Sequence, residues 1–142
     1  MAPAEPKSSS HASLVSDVIT ASPLGKLLGF VVEAIAVDRV RVRLPFRAEV
    51  TTVGDVVHGG SIAALIDTAA TAAAWSGADL EKNPRGTTIA LTVNFLAAAR
   101  AEDIAADARV IQRGRTITVC DVRVETKAGR AVASALVTYK LG

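Results

Sequence analysis

The stretch from Gly60 to Ser76 carries one charged residue, Asp67, among side chains that are otherwise almost all small or apolar. Because a helix that is apolar on nearly every side has to be covered all round, this stretch predicts a buried central helix rather than a surface one. Gly59 precedes the stretch and Gly77 follows it, so we expect the helix to span about residues 59–76. Its many small residues would let a sheet pack closely around it.

Strand-like segments flank this helix on both sides. Residues 13–28 predict a short helix and a turn, and residues 29–37 and 38–46 predict a β-hairpin. Three or four strand-like segments follow the helix, at residues 87–96, 104–112, 116–126 and 131–140, with Gly114 and Gly129 at hairpin turns. This order predicts an α+β fold in which one curved antiparallel sheet wraps around a long central helix.

Two strands carry patterns that predict how their faces are used. In the second strand Val40, Val42 and Leu44 alternate with arginines at 39, 41 and 43, which indicates a buried face and an exposed, charged one. In residues 116–126 the apolar residues change from odd-numbered positions, Ile117 and Val119, to even-numbered ones, Val122 and Val124. This change predicts either a bulge near residues 120–121 or a strand that is buried on both faces.

Composition limits the partners and the compartment. The chain has 142 residues, which we divide into a disordered lead at residues 1–12 and one domain at residues 13–142. A net charge of +2 is too small to indicate nucleic acid as the main partner. The one cysteine, Cys120, forms no intrachain disulfide or cysteine-based metal cluster and favours the reducing cytoplasm. The lead has no signal-peptide pattern, and Asp67 interrupts an apolar run too short for a membrane span.

The start of the helix and its single acid together indicate acyl chemistry. A lone carboxylate in an uncharged helix is costly to bury, so it usually has a function. The glycines at 59 and 60 would leave backbone N–H groups open at the helix N-terminus, where a polarised carbonyl is favoured. The plain alternative is that Asp67 is a structural carboxylate satisfied by loop N–H groups. Ser61 is not a serine nucleophile, because neither histidine lies at a suitable spacing.

The element order, the run Val57-His58-Gly59-Gly60 and the acid at position 67 resemble the hotdog-fold acyl-CoA thioesterases, and within them the small phenylacetate-pathway and aryl-CoA group. The resemblance covers the chain after about residue 20. It is supported by Leu44-Pro45, by Leu91-Thr92-Val93-Asn94-Phe95 and by Gln112-Arg113-Gly114-Arg115. It implies hydrolysis of an acyl-CoA to the free acid and CoA, with no metal or redox cofactor.

The resemblance also implies roles for individual residues. The Gly59 N–H would polarise the thioester carbonyl, and Asp67 would act as nucleophile or general base. Thr52 stands where the family usually has an amide that places the water or the acid. Thr71 matches a hydroxyl residue that some members use near the acid, and Thr88 matches a substrate-binding hydroxyl found at the site in others. His58 would shape the site by orienting the backbone through its ring N–H, and the remaining substrate-binding candidates are Gly60, Arg113, Gly114 and Arg115.

The spacing of Gly59 and Asp67 predicts an oligomer. Eight residues of helix separate them by about 12 Å, so one thioester cannot touch both in the same chain. Pairing two protomers about a twofold axis would bring Gly59 of one near Asp67 of the other, giving a homodimer with two shared sites, which could pair again into a tetramer.

Other interpretations stay open at this point. A non-catalytic acyl-CoA-binding module would keep Gly59 and the basic loop without needing Asp67. A hotdog hydratase or dehydratase would pair a histidine with the acid, whereas His58 precedes the helix. Thr71 could equally bond to a helix carbonyl, Arg113 and Arg115 could form a solvated hairpin tip, and Trp75 and Cys120 could be core residues. His11 receives no role.

Overall fold

The computed structural model describes residues 7–142. This part of the chain forms helices and strands in the following order: α1 (Lys7–Ala21), α2 (Pro23–Leu28), β1 (Val31–Ala36), β2 (Arg39–Leu44), α3 (Gly59–Ser76), β3 (Gly86–Phe95), β4 (Ile104–Arg113), β5 (Ile117–Thr126) and β6 (Ala131–Leu141). Single turns of 3₁₀ helix lie at Ala48–Val50 and Leu80–Lys82. None of the helices in the described range combines the length and the hydropathy that a membrane span requires.

The strands form one antiparallel sheet in the order β1-β2-β4-β5-β6-β3. Helix α3 lies across one face of this sheet and contacts all six strands. On β2, Val40, Val42 and Leu44 point towards the helix and are almost fully buried, as their alternation predicts. The architecture is the predicted α+β hotdog arrangement, a curved sheet around one long helix.

The face of α3 that meets the sheet is made largely of alanine. Ala69, Ala70 and Ala73 are completely buried there, beside the equally buried Ile66. The Sγ of Cys120 on β5 lies 3.7 Å from the Ala70 carbonyl oxygen, which places the sheet directly against the helix backbone. Such close packing is possible because small side chains leave no bulk between the two layers.

The opposite face of the sheet is charged. Arg39 and Arg41 form ion pairs with Asp107, and Arg43 pairs with Asp103. Opposite charges on neighbouring strands stabilise the sheet modestly and keep this face in solvent. The predicted exposed arginine face is confirmed.

Strand β3 forms one edge of the sheet. It pairs with β6 on one side, and no described residue forms a strand on its other side. Its apolar side chains are poorly covered: Ile89, Leu91 and Phe95 are 54%, 38% and 55% exposed. A ten-residue edge strand with exposed apolar side chains is a surface that proteins normally cover.

The N-terminal region differs from the prediction. Helix α1 begins at Lys7, so residues 7–12 are helical, whereas residues 1–6 of the predicted lead lie outside the described residues. Residues 13–28 hold two helices rather than one helix and a turn. Ser22 caps the second by accepting a hydrogen bond from the Gly25 N–H, and Pro23 occupies its first turn, where the missing N–H costs nothing.

The bulge predicted near residues 120–121 is not in β5. Even-numbered residues of β5, including Cys120, Val122 and Val124, face the core without interruption, while Ile117 is 38% exposed. The register shift lies in the neighbouring strand, where β4 has an extra residue between Val110 and Gln112. The apparent change from odd to even positions arises because Ile117 and Val119 are apolar residues on the outer face.

Candidate active site

The N-terminus of α3 leaves backbone N–H groups open, and that of Gly59, its first residue, is one of them. His58 caps the helix, and its Nδ1 accepts a hydrogen bond of 2.7 Å from the Gly60 N–H. The Gly59 N–H donates to no protein group within residues 7–142. Therefore Gly59, and not Gly60, has the N–H that a bound carbonyl could use.

The cap also corrects the expected role of His58. Its ring nitrogen accepts from the backbone, whereas the sequence predicted that the ring N–H would donate to it. Because Nδ1 carries the lone pair in this arrangement, the neutral ring has its proton on Nε2. A Cβ on Gly60 would lie 2.9 Å from Nδ1, so glycine is needed there for the cap to form.

Asp67 lies on the side of α3 that faces β3. Its Oδ1 accepts a hydrogen bond of 2.6 Å from the Thr88 hydroxyl, and both side chains are half-buried. Its Oδ2 has no hydrogen-bond partner among the described residues. One oxygen is thus held in place while the other is open for chemistry. The structure brings together these two predicted site residues.

Tyr139 lies next to this acid. It is the direct neighbour of Thr88 across the β3–β6 pair, and its hydroxyl oxygen accepts a hydrogen bond of 2.8 Å from the Trp75 indole N–H. Burial raises the pKa of Tyr139; the hydrogen bond from Trp75 lowers it, and the nearby Asp67 charge raises it again. The phenol consequently stays protonated at neutral pH and keeps a hydrogen to donate.

Gly59 and Asp67 lie near opposite ends of β3. A Cβ on Gly59 would lie 3.5 Å from the ring of Phe95, the last residue of β3, whereas Asp67 is bonded to Thr88 near its beginning. With about 12 Å of helix between them, the donor and the acid of one chain face different places along the same exposed strand.

Thr71 is one helical turn beyond Asp67. Its hydroxyl bonds neither to the Asp67 side chain nor to a helix carbonyl within the described part of the chain. It opens instead onto a groove of about 200 Å³ between α1 and α3. The groove is lined by Leu14, Val15, Val18, Ile19, Thr71, Ala72, Trp75 and Leu80.

The end of β4 and the turn that follows it hold three of the predicted substrate-binding residues, Arg113, Gly114 and Arg115. Arg113 donates to Oδ1 of Asp38 at 2.7 Å and to the Ala74 carbonyl at 3.1 Å, so its guanidinium closes the C-terminus of α3. This is a structural arrangement, because a cation is favoured where a helix exposes its last carbonyls. Arg115 is exposed, and its side chain makes no hydrogen bond or ion pair in residues 7–142.

Two further candidates occupy turns. Gly114 donates its N–H to the Ile117 carbonyl, and a Cβ there would lie 2.9 Å from the same oxygen, which makes it a residue of the hairpin turn. Thr52 is exposed in the loop before α3, where its N–H donates to the Val56 carbonyl. Its hydroxyl makes no contact with Asp67 within the described residues.

A second depression, about 360 Å³ in volume, lies on the charged face of the sheet among Glu33, Arg41, Arg43 and Asp103. This depression is larger than the groove between α1 and α3, but it is not the better candidate site. Its arginines point away from α3, because the intervening valines of β2 point towards the helix. The sheet therefore separates this depression from Asp67.

Sequence reasoning did not find one aromatic residue of the site, Tyr139, and it considered Phe95 only as a residue that could line the acyl pocket, not as the neighbour of Gly59. The signal for Tyr139 was modest: it is the only tyrosine and falls in phase with the buried Val137 of β6. The position of Tyr139 near Asp67 depends on how β3 and β6 pair, which the sequence does not reveal. His11, given no role, lies in α1 with its Nε2 2.8 Å from the Trp75 carbonyl.

A central helix with an open N-terminal donor, and an acid held against the edge of a wrapping sheet, define a protein of the hotdog class. The family model described as the Thioesterase superfamily matches residues 54–133, from the loop before α3 into β6. The chain belongs to this superfamily. Membership supports hydrolysis of thioester or ester bonds as the general class of activity.

Individual relatives agree with this assignment. A protein from Halobacterium salinarum that carries the name "Putative esterase" is 35% identical over 125 residues, which cover 86% of this chain and 82% of the relative. Among solved structures, a thioesterase family protein from Silicibacter pomeroyi is 27% identical with a TM-score of 0.84, covering 92% of this chain and 97% of that one. AziG from S. sahachiroi is 27% identical with a TM-score of 0.77, covering 84% and 95%.

Proposed function

We propose that this protein hydrolyses acyl-CoA thioesters, with Asp67 as the reacting acid. The observation that carries the proposal is the arrangement of its carboxylate, in which Thr88 holds Oδ1 and Oδ2 is left open. A half-buried acid with one restrained oxygen is suited to act on a bound electrophile. A merely structural carboxylate would be expected to use both oxygens within the protein.

Two routes are consistent with this arrangement. In the first, Oδ2 attacks the thioester carbonyl carbon, the C–S bond breaks, and CoA leaves as a thiolate that takes a proton; water then hydrolyses the mixed anhydride. In the second, the carboxylate removes a proton from water as the water attacks the same carbon. Both routes develop negative charge on the carbonyl oxygen and end in a free acid and CoA.

The Gly59 N–H is the proposed donor to that oxygen. It is unused at the positive end of α3, and it lies where no Cβ obstructs an approaching carbonyl. A single donor of this kind typically lowers the barrier by about 3 kcal/mol.

The donor and the acid that act on one thioester are proposed to come from two protomers. If the exposed edges of two β3 strands pair antiparallel about a twofold axis between Leu91 and Thr92, Thr88 of one chain lies opposite the partner's Phe95. Thr88 is bonded to Asp67, and Phe95 adjoins Gly59. The same pairing covers the apolar side chains of β3 and brings each Asp67 towards the partner's Gly59. A further pairing into tetramers stays a prediction.

Arg115 is the remaining candidate for contact with the CoA phosphates, since its guanidinium is exposed and uncommitted in the described range. Arg113 is left out of the proposed site because its donors serve Asp38 and α3.

A complementation experiment tests the acid, the donor and the dimer together. Asp67→Asn removes the negative charge from the acid. Gly59→Pro removes the donor, and the first residue of a helix tolerates proline well. His58 already has φ −64° and ψ 135°, the conformation that a residue before proline prefers. Gly59→Ala is the matched control because it adds a Cβ and retains the N–H.

Each of the first two variants alone should lose at least about 100-fold in thiol release from a panel of acyl-CoAs. When the two are unfolded together and refolded, half of the dimers should be mixed, and each mixed dimer contains one intact site. Recovery of roughly a quarter of wild-type activity is expected. No recovery would contradict a shared site, and full activity of Asp67→Asn would contradict the proposed acid. If wild type binds acyl-CoA without hydrolysing it, the protein is a binding module.

A further inference from the structure

We propose that the groove between α1 and α3 receives the acyl chain of the substrate and selects unbranched aliphatic chains of medium length. This inference rests on the proposed function, because it takes Asp67 as the position of the thioester carbonyl. The groove has a volume of about 200 Å³ and lies between residues 14–19 of α1 and residues 71–75 of α3, with Leu80 at its border.

The groove begins next to the proposed reacting acid. Thr71 follows Asp67 by four residues, which places it about 6 Å along α3 and about 40° around it. Trp75 follows by eight residues, about 12 Å along and about 80° around. An acyl chain that leaves the carbonyl at Asp67 and runs towards the C-terminus of α3 therefore enters the groove at Thr71 and passes Trp75.

The lining of the groove matches an aliphatic chain. None of its residues is charged, and the Trp75 indole N–H is already bonded to Tyr139, so the Thr71 hydroxyl at the entrance is its main polar group. On α1, Leu14 and Val18 are 50% and 63% exposed, one turn apart on the same face. A bound hydrocarbon chain would cover these side chains as well as the face of Trp75.

The extent of the lining accommodates a flexible linear chain. The lining covers somewhat more than one turn of each helix, so a chain lying in the groove contacts α1 and α3 along its length. Each buried methylene contributes about fourfold in binding, until the groove is filled. Activity should therefore rise with chain length and then level off.

The first test compares a variant that fills the groove with one that does not. Val18→Phe adds bulk inside the groove, and the control Leu27→Phe places the same aromatic side chain on α2, where Leu27 is 68% exposed. kcat/KM is measured for straight-chain acyl-CoAs from two to twelve carbons and for phenylacetyl-CoA. Wild type should rise by about fourfold per methylene before levelling off. Val18→Phe should lower the ratio of octanoyl to butyryl kcat/KM at least tenfold, and Leu27→Phe should preserve it.

The second test measures binding without catalysis. Trp75 is the only tryptophan in the chain, so its fluorescence reports on the groove directly. Octanoyl-CoA should shift its emission in the Asp67→Asn variant, while CoA alone should not, and Val18→Phe should suppress the shift. Leu14→Phe serves as a second groove-filling variant should Val18→Phe fail to fold.

The outcomes separate this inference from the proposed function. Absence of thioester hydrolysis by wild type overturns the proposed enzymatic activity. The shift in Trp75 emission then tests on its own whether the groove binds the acyl chain. If Val18→Phe and wild type hydrolyse acyl-CoAs with the same chain-length profile, the proposed role of the groove is wrong and the proposed enzymatic activity stands. A profile that favours phenylacetyl-CoA over every aliphatic chain overturns the proposed selectivity. A change of oligomeric mass in Val18→Phe, without a change of profile, would show that a second copy covers the groove.

Discussion

The Thr88 hydroxyl donates a 2.6 Å hydrogen bond to Oδ1 of Asp67, linking the central helix to the edge strand of the sheet. Both groups are half-buried, so water screens the bond less than it would at the surface. The bond restrains the carboxylate in one orientation and leaves its other oxygen without a hydrogen-bond partner among the described residues. We therefore propose that Thr88 positions the acid.

Thr88→Val should therefore slow the reaction without unfolding the protein. Valine has the shape of threonine but no hydroxyl, and a hydrogen bond to a charged group contributes about 1.5–3 kcal/mol. We expect kcat to fall roughly 10- to 100-fold with little change in KM. Thr88→Ser retains the hydroxyl and should recover most of the rate. Equal kcat in Thr88→Val and wild type, measured by thiol release, would show that the bond is structural only.

Arg113 and Arg115 are close in sequence but should respond differently to substitution. Arg113→Met removes the donors to Asp38 and to the Ala74 carbonyl, and should destabilise the protein by about 1–3 kcal/mol in urea unfolding, with KM unchanged. Arg115→Met should leave stability within about 0.5 kcal/mol and raise KM for acyl-CoA, since its guanidinium is exposed. A rise in KM for Arg113→Met alone would reverse the two assignments.

Cys120 should make stability depend on pH in the alkaline range. Burial between the sheet and α3 raises the pKa of its thiol from 9.0 to about 11, with smaller opposing effects from Arg113 and Asp38. The neutral thiol is favoured in the folded state, so this contribution is fully present below pH 9 and is lost as pH rises to about 11.

The measurement is urea unfolding of wild type and Cys120→Ala at pH 8, 9, 10 and 11. The alanine variant should be less stable at pH 8, because it lacks buried volume, and the gap between the two proteins should narrow with rising pH. The comparison cancels the titration of the other groups. A gap that stays constant across this range would contradict the raised pKa.

The sequence predicts those parts of the fold that depend on local pattern. The absence of charge between Gly60 and Ser76, apart from Asp67, was enough to place α3 at Gly59–Ser76 and to indicate that a sheet covers it. The alternation of Val40, Val42 and Leu44 with arginine likewise gave the correct faces of β2. In both cases the burial of a residue follows from the period of its own element.

The parts that it could not predict depend on contacts between distant elements. Ile117 is apolar but faces outward, because the even-numbered residues of β5 face the core and the burial of one face against α3 is set by tertiary packing. Arg113 is a basic residue beside a turn, as in many ligand-binding sites. It nevertheless donates hydrogen bonds to Asp38, which is remote in sequence. The Asp67–Thr88 bond and the groove beside Thr71 likewise require the packing of helices and strands to be known.

The alanine face of α3 limits how this protein can diversify. Ala69, Ala70 and Ala73 leave no space between helix and sheet, so a larger side chain at any of them would lift the helix and separate Asp67 from Thr88. Helix α1, by contrast, carries solvent-exposed leucine and valine that can change without disturbing the interior. Evolution can thus alter the acyl-chain preference of this protein through substitutions in α1 far more easily than through substitutions in α3, which carries Asp67.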